Sequence, residues 1–185
     1  MSSGVRSRLV TPAPEVIQTL RLRGERVSID HLAALCELLG DARVGATLGG
    51  TRTPDEVALG IAAQASHWEA HGFGYWTFFD RATGAPVARG GLSRAHVGGR
   101  AEVEVGWAVT SSRWGEGLAT ELGEAAIAVA FGPLALPDVV AYTLPGNVAS
   151  RRVMEKLGFV YERDVMHAAL AHVLYRLTRP QSPGS

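Results

Sequence analysis

The chain has 185 residues, of which 46% are hydrophobic, and this length and composition predict one globular domain with its own core. The 18 lysines and arginines balance the 18 aspartates and glutamates, so no bulk charge attracts nucleic acid or an anionic membrane. Cys36 is the single cysteine, which excludes an intramolecular disulfide, and the longest apolar run, residues 125–131, is too short to span a bilayer.

The first predicted elements are a strand and two helices. Apolar and polar side chains alternate over residues 17–23, as they do in a half-buried strand. Residues 31–39 form a short amphipathic helical pattern, with Asp30 as a possible cap. A second helix is predicted from Thr53 to Gly72, because T-P-D-E combines a threonine cap, a proline at the first helical position and a glutamate three residues later.

The rest of the chain alternates between strand and helix patterns. Further strands are predicted over residues 74–79, 85–92, 101–109, 139–143, 159–165 and 168–178. Helices are predicted over residues 121–131 and directly after Asn147. This order predicts an α/β fold, with a single-domain, mixed and mostly antiparallel central sheet of about seven strands flanked by helices. The predicted domain spans residues 15–179, and the predicted flexible tails are residues 1–14 and 180–185.

A glycine-rich turn, R-W-G-E-G-L-A-T over residues 113–120, lies between a strand pattern and a helix pattern. Glycines let the backbone approach a ligand closely, and the unpaired N–H groups at a helix start favour an anion. The dinucleotide fingerprint does not fit, because the next glycine is Gly123, and the triphosphate loop does not fit, because the turn has no lysine. Taken alone, the glycines are also explained by a tight strand-to-helix connection.

A second informative segment reads N-V-A-S-R-R-V-M-E-K-L-G-F over residues 147–159. Asn147 is a suitable cap for a helix that begins just after it. Val153, Met154 and Leu157 form the apolar face of that helix, and Gly158 ends it.

Together, the two segments resemble the GCN5-related N-acetyltransferase (GNAT) superfamily, and most closely its branch of ribosomal-protein N-terminal acetyltransferases. The family's pyrophosphate loop has the form Q/R-x-x-G-x-G/A, to which residues 114–119 correspond, and its later block corresponds to residues 147–159. The resemblance covers residues 15–179 and implies the acyl-CoA N-acyltransferase fold, acetyl-coenzyme A as cosubstrate and no metal. Trp114 departs from the family pattern where many relatives have Gln or Arg, and Met154 stands where other branches have a tyrosine that protonates the leaving thiolate.

The resemblance also implies which residues bind the cosubstrate. The candidate cofactor-binding residues are Trp107, Val109, Trp114, Gly115, Glu116, Gly117, Leu118, Ala119, Thr120, Asn147 and Ser150. The strand end from Trp107 to Val109 would pair with the peptide-like pantetheine arm, and a backbone N–H near Val109 would stabilise the oxyanion. Arg151 and Arg152 could contact the adenosine phosphate or form a solvated helix face.

Glu104 and Ser150 are the candidate catalytic residues. A lysine amine has a pKa of about 10.4 and an α-amino group about 8, so the acceptor must lose a proton before it attacks. Glu104, acting through a water, is the candidate base, with Glu102 on the same strand face in reserve. Alternatively, both carboxylates only face solvent. Ser150 or water is the candidate for protonating the thiolate.

Several other side chains are weaker candidates. Tyr75 or Trp76 could line an acceptor pocket, and Arg89 and Arg94 could meet an acidic acceptor. His67 and the histidine four residues later are better explained as a helix end than as a metal site.

The resulting prediction is an N-acetyltransferase that moves acetyl from acetyl-CoA to a primary amine in a ternary complex. The acceptor can be a protein N-terminus or a small-molecule amine. The alternative is a non-catalytic acyl-CoA-binding sensor or interaction module on the same fold. We expect a cytoplasmic protein with no nucleic-acid or membrane partner, and we leave open whether it is a monomer or a homodimer.

Overall fold

The computed structural model describes residues 11–180, so most of both predicted tails lies outside the described residues. The strands are β1 (Val16–Gln18), β2 (Leu22–Arg26), β3 (Tyr75–Asp80), β4 (Pro86–Val97), β5 (Arg100–Val109), β6 (Asp138–Thr143), β7 (Val160–His167) and β8 (Leu170–Thr178). The helices are α1 (Leu32–Gly40), α2 (Ala42–Thr47), α3 (Pro54–His71), α4 (Leu118–Phe131) and α5 (Val148–Lys156). Ala13 and Pro14, which precede the predicted domain boundary, are hydrogen-bonded to Gly72 and Trp76.

The strands form one eight-stranded sheet in the order β1-β2-β3-β4-β5-β6-β8-β7. Every neighbouring pair is antiparallel except β5 and β6, which are parallel. The predicted class, a mixed and mostly antiparallel sheet flanked by helices, is therefore confirmed.

Two local features differ from the sequence-based expectation. The predicted strand over residues 17–23 is divided into β1 and β2, because the Thr19 hydroxyl accepts the Leu22 N–H at 2.9 Å and turns the chain. The short helix α2 was not predicted. It is capped by Asp41, whose carboxylate accepts the Arg43 N–H at 2.7 Å, and its six residues are too few for a periodic apolar pattern.

The signals that delimit α3 behave as predicted. Thr53 and Glu56 exchange side-chain-to-backbone hydrogen bonds in a capping box, and Pro54 is the first helical residue. The helix ends at Gly72, whose φ of 72° is a left-handed conformation that glycine adopts without strain. These two ends set the position of α3 over the sheet.

Helices cover both faces of the sheet. A Cβ on Gly90 of β4 would meet Leu122 at 2.6 Å, so one face packs closely against α4. Val87, which points to the opposite face of β4, lines a small void together with Leu35 and Leu38 of α1. No helix within residues 11–180 is long and apolar enough to cross a membrane.

The contact between β5 and β6 divides the sheet into two halves. These strands pair at a single position, Glu104 with Val140, whereas the β4–β5 ladder continues to Val109. Beyond Glu104 the two strands therefore separate, and the sheet opens between its halves. This opening positions the candidate site.

Candidate active site

A cavity of about 770 Å³ opens where β5 and β6 separate. Most of the predicted site residues line it: Glu104, Trp107, Val109, Trp114, Gly115, Gly117, Leu118, Ala119, Thr120, Asn147 and Ser150. The fold thus brings together the two motifs and the candidate base, although they are far apart in the sequence.

The glycine-rich turn has the backbone geometry of an anion site. Gly115 and Gly117 have φ values of 86° and 81°, which side chains other than glycine rarely adopt. No side chain caps α4, and its first internal hydrogen bond is donated by the Glu121 N–H to the Gly117 carbonyl. The N–H groups of residues 118–120 therefore have no intrahelical partner and lie beside the cavity. The residues present fit a pyrophosphate.

Two arginines hold the turn in place. Arg113 donates to Asp80 Oδ2 at 3.1 Å and to Glu116 Oε1 at 2.7 Å. Arg21 donates to the Glu116 carbonyl at 2.9 Å and to Glu121 Oε2 at 2.7 Å. Glu116 was predicted to bind the cosubstrate, but its carboxylate is turned toward Arg113 and the residue does not line the cavity, so only its backbone N–H is suited to a contact. The hydrogen bond from Arg113 also lowers the pKa of the Glu116 carboxyl.

Trp114 connects the turn to the end of β5. Its indole N–H donates to the Val109 carbonyl at 2.8 Å, and the Arg43 guanidinium lies 5.1 Å from the centre of its ring. Ser111 donates to the Asp41 carboxylate at 2.5 Å, which links the same segment to the cap of α2. Trp114 thus replaces the polar side chain of relatives with a structural contact.

The open edge of β5 presents backbone donors to the gap. The Thr110 N–H donates to the Val87 carbonyl at 2.9 Å, on the β4 side. Since N–H groups alternate between the two edges of a strand, those of Trp107 and Val109 point toward the gap. A peptide-like ligand can pair with this edge.

Asn147 caps α5 as predicted, because its Oδ1 accepts the Ser150 N–H at 3.1 Å. Its Nδ2 donates to Thr143 Oγ1 at 3.0 Å and to the Thr47 carbonyl at 3.4 Å, so the side chain also joins β6 to α2. The Ser150 hydroxyl makes no hydrogen bond with another described residue and lines the cavity. Met154 is only 1% exposed and forms part of the cavity wall.

Glu104 is held by Tyr75. The Tyr75 hydroxyl donates to Glu104 Oε1 at 2.7 Å. Burial, together with the Glu104 charge, raises the pKa of Tyr75, so the phenol stays protonated at neutral pH. Tyr75 lines the cavity, whereas Trp76 is fully buried elsewhere. Glu104 is therefore a fixed carboxylate facing the cavity.

Glu102 occupies a different environment although it shares a strand face with Glu104. Its oxygens accept from Arg176 at 2.7 and 3.1 Å, and Arg176 also bonds to Glu162 at 2.5 Å and to Asp138. Glu102 does not line the cavity. The structure thus makes Glu102 part of an ion-pair network and not a second candidate base.

An aromatic cluster in the cavity wall, where β6 meets the β7–β8 hairpin, was not identified from the sequence. The ring of Tyr142 lies 4.9 Å from that of His167 and 5.6 Å from that of His172, and all three line the cavity. The histidines belong to the β7–β8 hairpin, and only the pairing of β8 with β6 brings them to Tyr142. No local pattern in the sequence indicates this contact.

The helix α5 carries basic residues at the cavity. Arg152 and Lys156 line it, while Arg151 is directed away and donates to the Tyr175 hydroxyl at 3.1 Å. Only Arg152 of the predicted arginine pair is therefore available to a phosphate.

His67 is committed to two backbone contacts. The Arg94 N–H donates to its Nε2 at 2.9 Å, so its Nδ1 carries the proton and donates to the Phe73 carbonyl at 2.7 Å. Burial lowers the pKa of His67, which favours this neutral form. Both ring nitrogens are thus used in the structure.

Comparisons with known proteins are consistent with this geometry. Residues 20–160 match the family described as "Acetyltransferase (GNAT) domain". A Bordetella pertussis structure described as a GnaT-family acetyltransferase has a TM-score of 0.77 and 27% identity, with coverage of 88% of this chain and 99% of the other. RimL, a ribosomal L7/L12 α-N-protein acetyltransferase solved with coenzyme A, has a TM-score of 0.72 and 16% identity, covering 89% and 98%.

A curated relative from Bacillus subtilis (strain 168), the uncharacterized protein YkkB, is 28% identical over 97 residues. The match covers 52% of this chain and 56% of YkkB, so the chain aligns with about half the length of that relative.

Proposed function

Because this chain belongs to the GNAT acetyltransferase family, we propose that it is an acetyl-CoA-dependent N-acetyltransferase acting on a primary amine. One observation carries the proposal. The anion-binding turn, the open edge of β5 and the Tyr75-bound Glu104 all face the same cavity of about 770 Å³. A binding site and a proton acceptor in one enclosed space are what acyl transfer requires.

The cosubstrate fits the cavity from the turn inward. The pyrophosphate would accept hydrogen bonds from the N–H groups of residues 115–120, with Arg152 and Lys156 as nearby cations. The pantetheine arm would pair with the edge of β5 at Trp107 and Val109. The coenzyme A complex of RimL, a protein of the same fold, supports this assignment.

The reaction would proceed by direct attack. The amine nitrogen forms a bond to the thioester carbon as the carbon–sulfur bond breaks. Glu104 takes the amine proton through a water, and Ser150 or water protonates the thiolate. The Val109 N–H would stabilise the oxyanion. The hydrogen bond from Tyr75 would keep the Glu104 carboxylate pointed at the cavity.

The acceptor is a protein N-terminus or a small-molecule amine. A methyl group on Gly49 would lie 2.9 Å from Leu170 Cδ1, so the loop after α2 touches the β7–β8 hairpin beside the cavity. This contact narrows the cavity at the end where the acceptor would enter. It favours an acceptor that is small or presents its amine on an extended chain.

A non-catalytic acyl-CoA sensor is the second candidate. Met154, buried in the cavity wall, supplies no proton for the leaving thiolate, and this observation favours the sensor. The presence of Glu104 and the unbonded Ser150 hydroxyl favours the enzyme.

Thiol release from acetyl-CoA, measured over a panel of primary amines, tests the proposal. We expect turnover with at least one amine and a loss in Glu104→Gln of about 100-fold in kcat/KM, the usual size of a general-base contribution. The loss should be greatest at low pH, where most of the amine is protonated, and should shrink as pH rises.

Glu102→Gln is the matched control, because Glu102 lies on the same strand but outside the cavity. It should keep the wild-type pH–rate profile. Tight acetyl-CoA binding with no turnover of any amine would favour the sensor, and an unchanged profile in Glu104→Gln would remove Glu104 as the base.

A further inference from the structure

Arg89 is a cation at the cavity with a buried donor atom that has no partner among the described residues. It lies on β4 opposite Ala108 of β5, and its side chain lines the cavity. Its Nε is buried and has no hydrogen-bond partner among residues 11–180. The ring of Tyr75 lies beside it, with its centre 5.3 Å from the guanidinium carbon.

This arrangement is costly for the protein alone. Arg89 as a whole is half-buried, but its buried Nε–H is a donor without an acceptor among residues 11–180 and therefore forfeits its hydration. The face of Tyr75 compensates only in part, since a cation–π contact is weaker than a hydrogen bond between charged groups. The neighbouring arginines differ, because Arg52 donates to the Gly50 and Thr51 carbonyls at 3.0 and 3.1 Å and Arg113 is paired with acidic groups. The Arg89 guanidinium can therefore bind an anion from a ligand, because the described residues supply none.

The cosubstrate's phosphates are not that anion. Gly90 points toward α4, so its neighbour Arg89 points to the opposite face of the sheet. The glycine-rich turn opens α4 and lies with that helix, on the other side. Arg89 instead shares its face with Glu104, and Tyr75 connects them, with its ring beside the guanidinium and its hydroxyl on the carboxylate.

We propose that Arg89 binds an acidic group of the acceptor, a carboxylate or a phosphate, so that the substrates are amines that also carry an anion. The inference rests on the proposed function and specifies its substrate class. A planar guanidinium binds either anion through two parallel hydrogen bonds. With the anion at Arg89, the amine of the same molecule is placed near Glu104, about the length of a tyrosine side chain away.

Matched amines test the inference. The rates of an ω-amino carboxylic acid and an aminoalkyl phosphate are compared with that of an alkylamine of the same length. We expect a preference of roughly tenfold to hundredfold in kcat/KM for one of the anionic amines, the scale of a charged hydrogen bond. The better of the two anions identifies the acidic group.

Arg89→Met should abolish the preference through a higher KM for the anionic amine, so that the anionic amine and the alkylamine have similar kcat/KM values within this variant. Arg89→Lys should retain part of the preference, because lysine keeps the positive charge but cannot donate two parallel hydrogen bonds to one anion. Arg94→Met, on an exposed position of the same strand, is the control and should leave the preference intact. Arg89→Met should keep or raise the melting temperature, since it removes a buried donor that has no acceptor among residues 11–180.

Equal rates for charged and uncharged amines, or a preference that survives in Arg89→Met, would overturn the inference. If no amine is acetylated, the proposed function fails, and calorimetric titration of the same amines into coenzyme A-saturated protein decides the inference separately. Binding of an anionic amine that is lost in Arg89→Met supports it, and equal or absent binding in both proteins rejects it.

Discussion

At the scale of single residues, Gly106 decides whether Tyr75 reaches Glu104. A Cβ on Gly106 would lie 2.0 Å from the Tyr75 hydroxyl, a distance that atoms cannot share. The tyrosine can lie across β5 only because this position has no side chain. Gly106 therefore contributes to the geometry of the candidate base although it has no functional group.

We expect Gly106→Ala to displace Tyr75 and lower kcat about tenfold or more, because a misplaced catalytic group loses its alignment. The KM for acetyl-CoA should change little. Tyr75→Phe, which keeps the ring and removes the hydroxyl, should give the same kinetic defect.

The control is Gly60→Ala, since a Cβ there meets nothing within 4 Å and alanine is favoured in a helix. It should leave kcat unchanged. Full activity in Gly106→Ala would show that the bond between Tyr75 and Glu104 is dispensable.

At the scale of elements, the strand-to-helix turn combines a strained backbone with unpaired donors. Gly115 and Gly117 are both left-handed, and Arg21 and Arg113 hold the turn through hydrogen bonds to Glu116. The glycines thus set the direction of the backbone N–H groups, and the two arginines hold the turn.

We expect Gly117→Val to abolish the thermal stabilisation that coenzyme A produces, because a β-branched residue does not adopt a φ of 81° and the N–H groups would turn away. Differential scanning fluorimetry with and without coenzyme A measures this effect.

Gly84→Val is the control that separates the effect of backbone strain on stability from the effect of the turn on coenzyme A binding. Gly84 has a φ of 73° in the β3–β4 turn and does not line the cavity, so this variant should lose stability but keep its response to coenzyme A. An undiminished response in Gly117→Val would remove the turn as the pyrophosphate site.

At the scale of the whole molecule, two sheet halves are joined at one end and open at the other. The single β5–β6 pairing position is accompanied by the Arg176 network, which links β5, β6, β7 and β8 through Glu102, Asp138 and Glu162. The network lies where the two halves are joined, beside the pairing position of Glu104 and Val140. It holds the halves together where pairing hydrogen bonds are few.

We expect Arg176→Met to lower the free energy of unfolding at pH 7 by about 2 kcal/mol, because the three carboxylates lose the cation that they share. Among residues 11–180, only Arg163 beside Glu162 and the more distant Arg100 beside Glu102 then remain. Arg176 lowers the pKa of Glu162 in the folded protein. A lowered carboxyl pKa contributes stability above its unfolded value, about 4.3, and that contribution is lost as pH falls through the folded value.

The difference between wild type and Arg176→Met should therefore shrink below about pH 4. Urea unfolding at pH 7 and at low pH measures it. Arg100→Met is the control. Arg100 is 63% exposed and comes no closer than 4.0 Å to Glu102, so its loss should have little effect on stability. Equal stability of wild type and Arg176→Met at pH 7 would contradict the role of the network.

The amino-acid sequence was sufficient to predict the fold class, the bounds of α3 and the cap of α5, and to place the glycine-rich turn between a strand and a helix. These features depend on neighbouring residues, such as Thr53 with Glu56 or Asn147 with Ser150, so local patterns are sufficient. Only the tertiary structure distinguished Glu104 from Glu102, assigned Arg113 to Asp80 and left the buried Nε of Arg89 without a hydrogen-bond partner among residues 11–180. The two glutamates lie on the same face of β5 and have the same side chain. They differ because Tyr75 from β3 binds Glu104, whereas Arg176 from β8 binds Glu102.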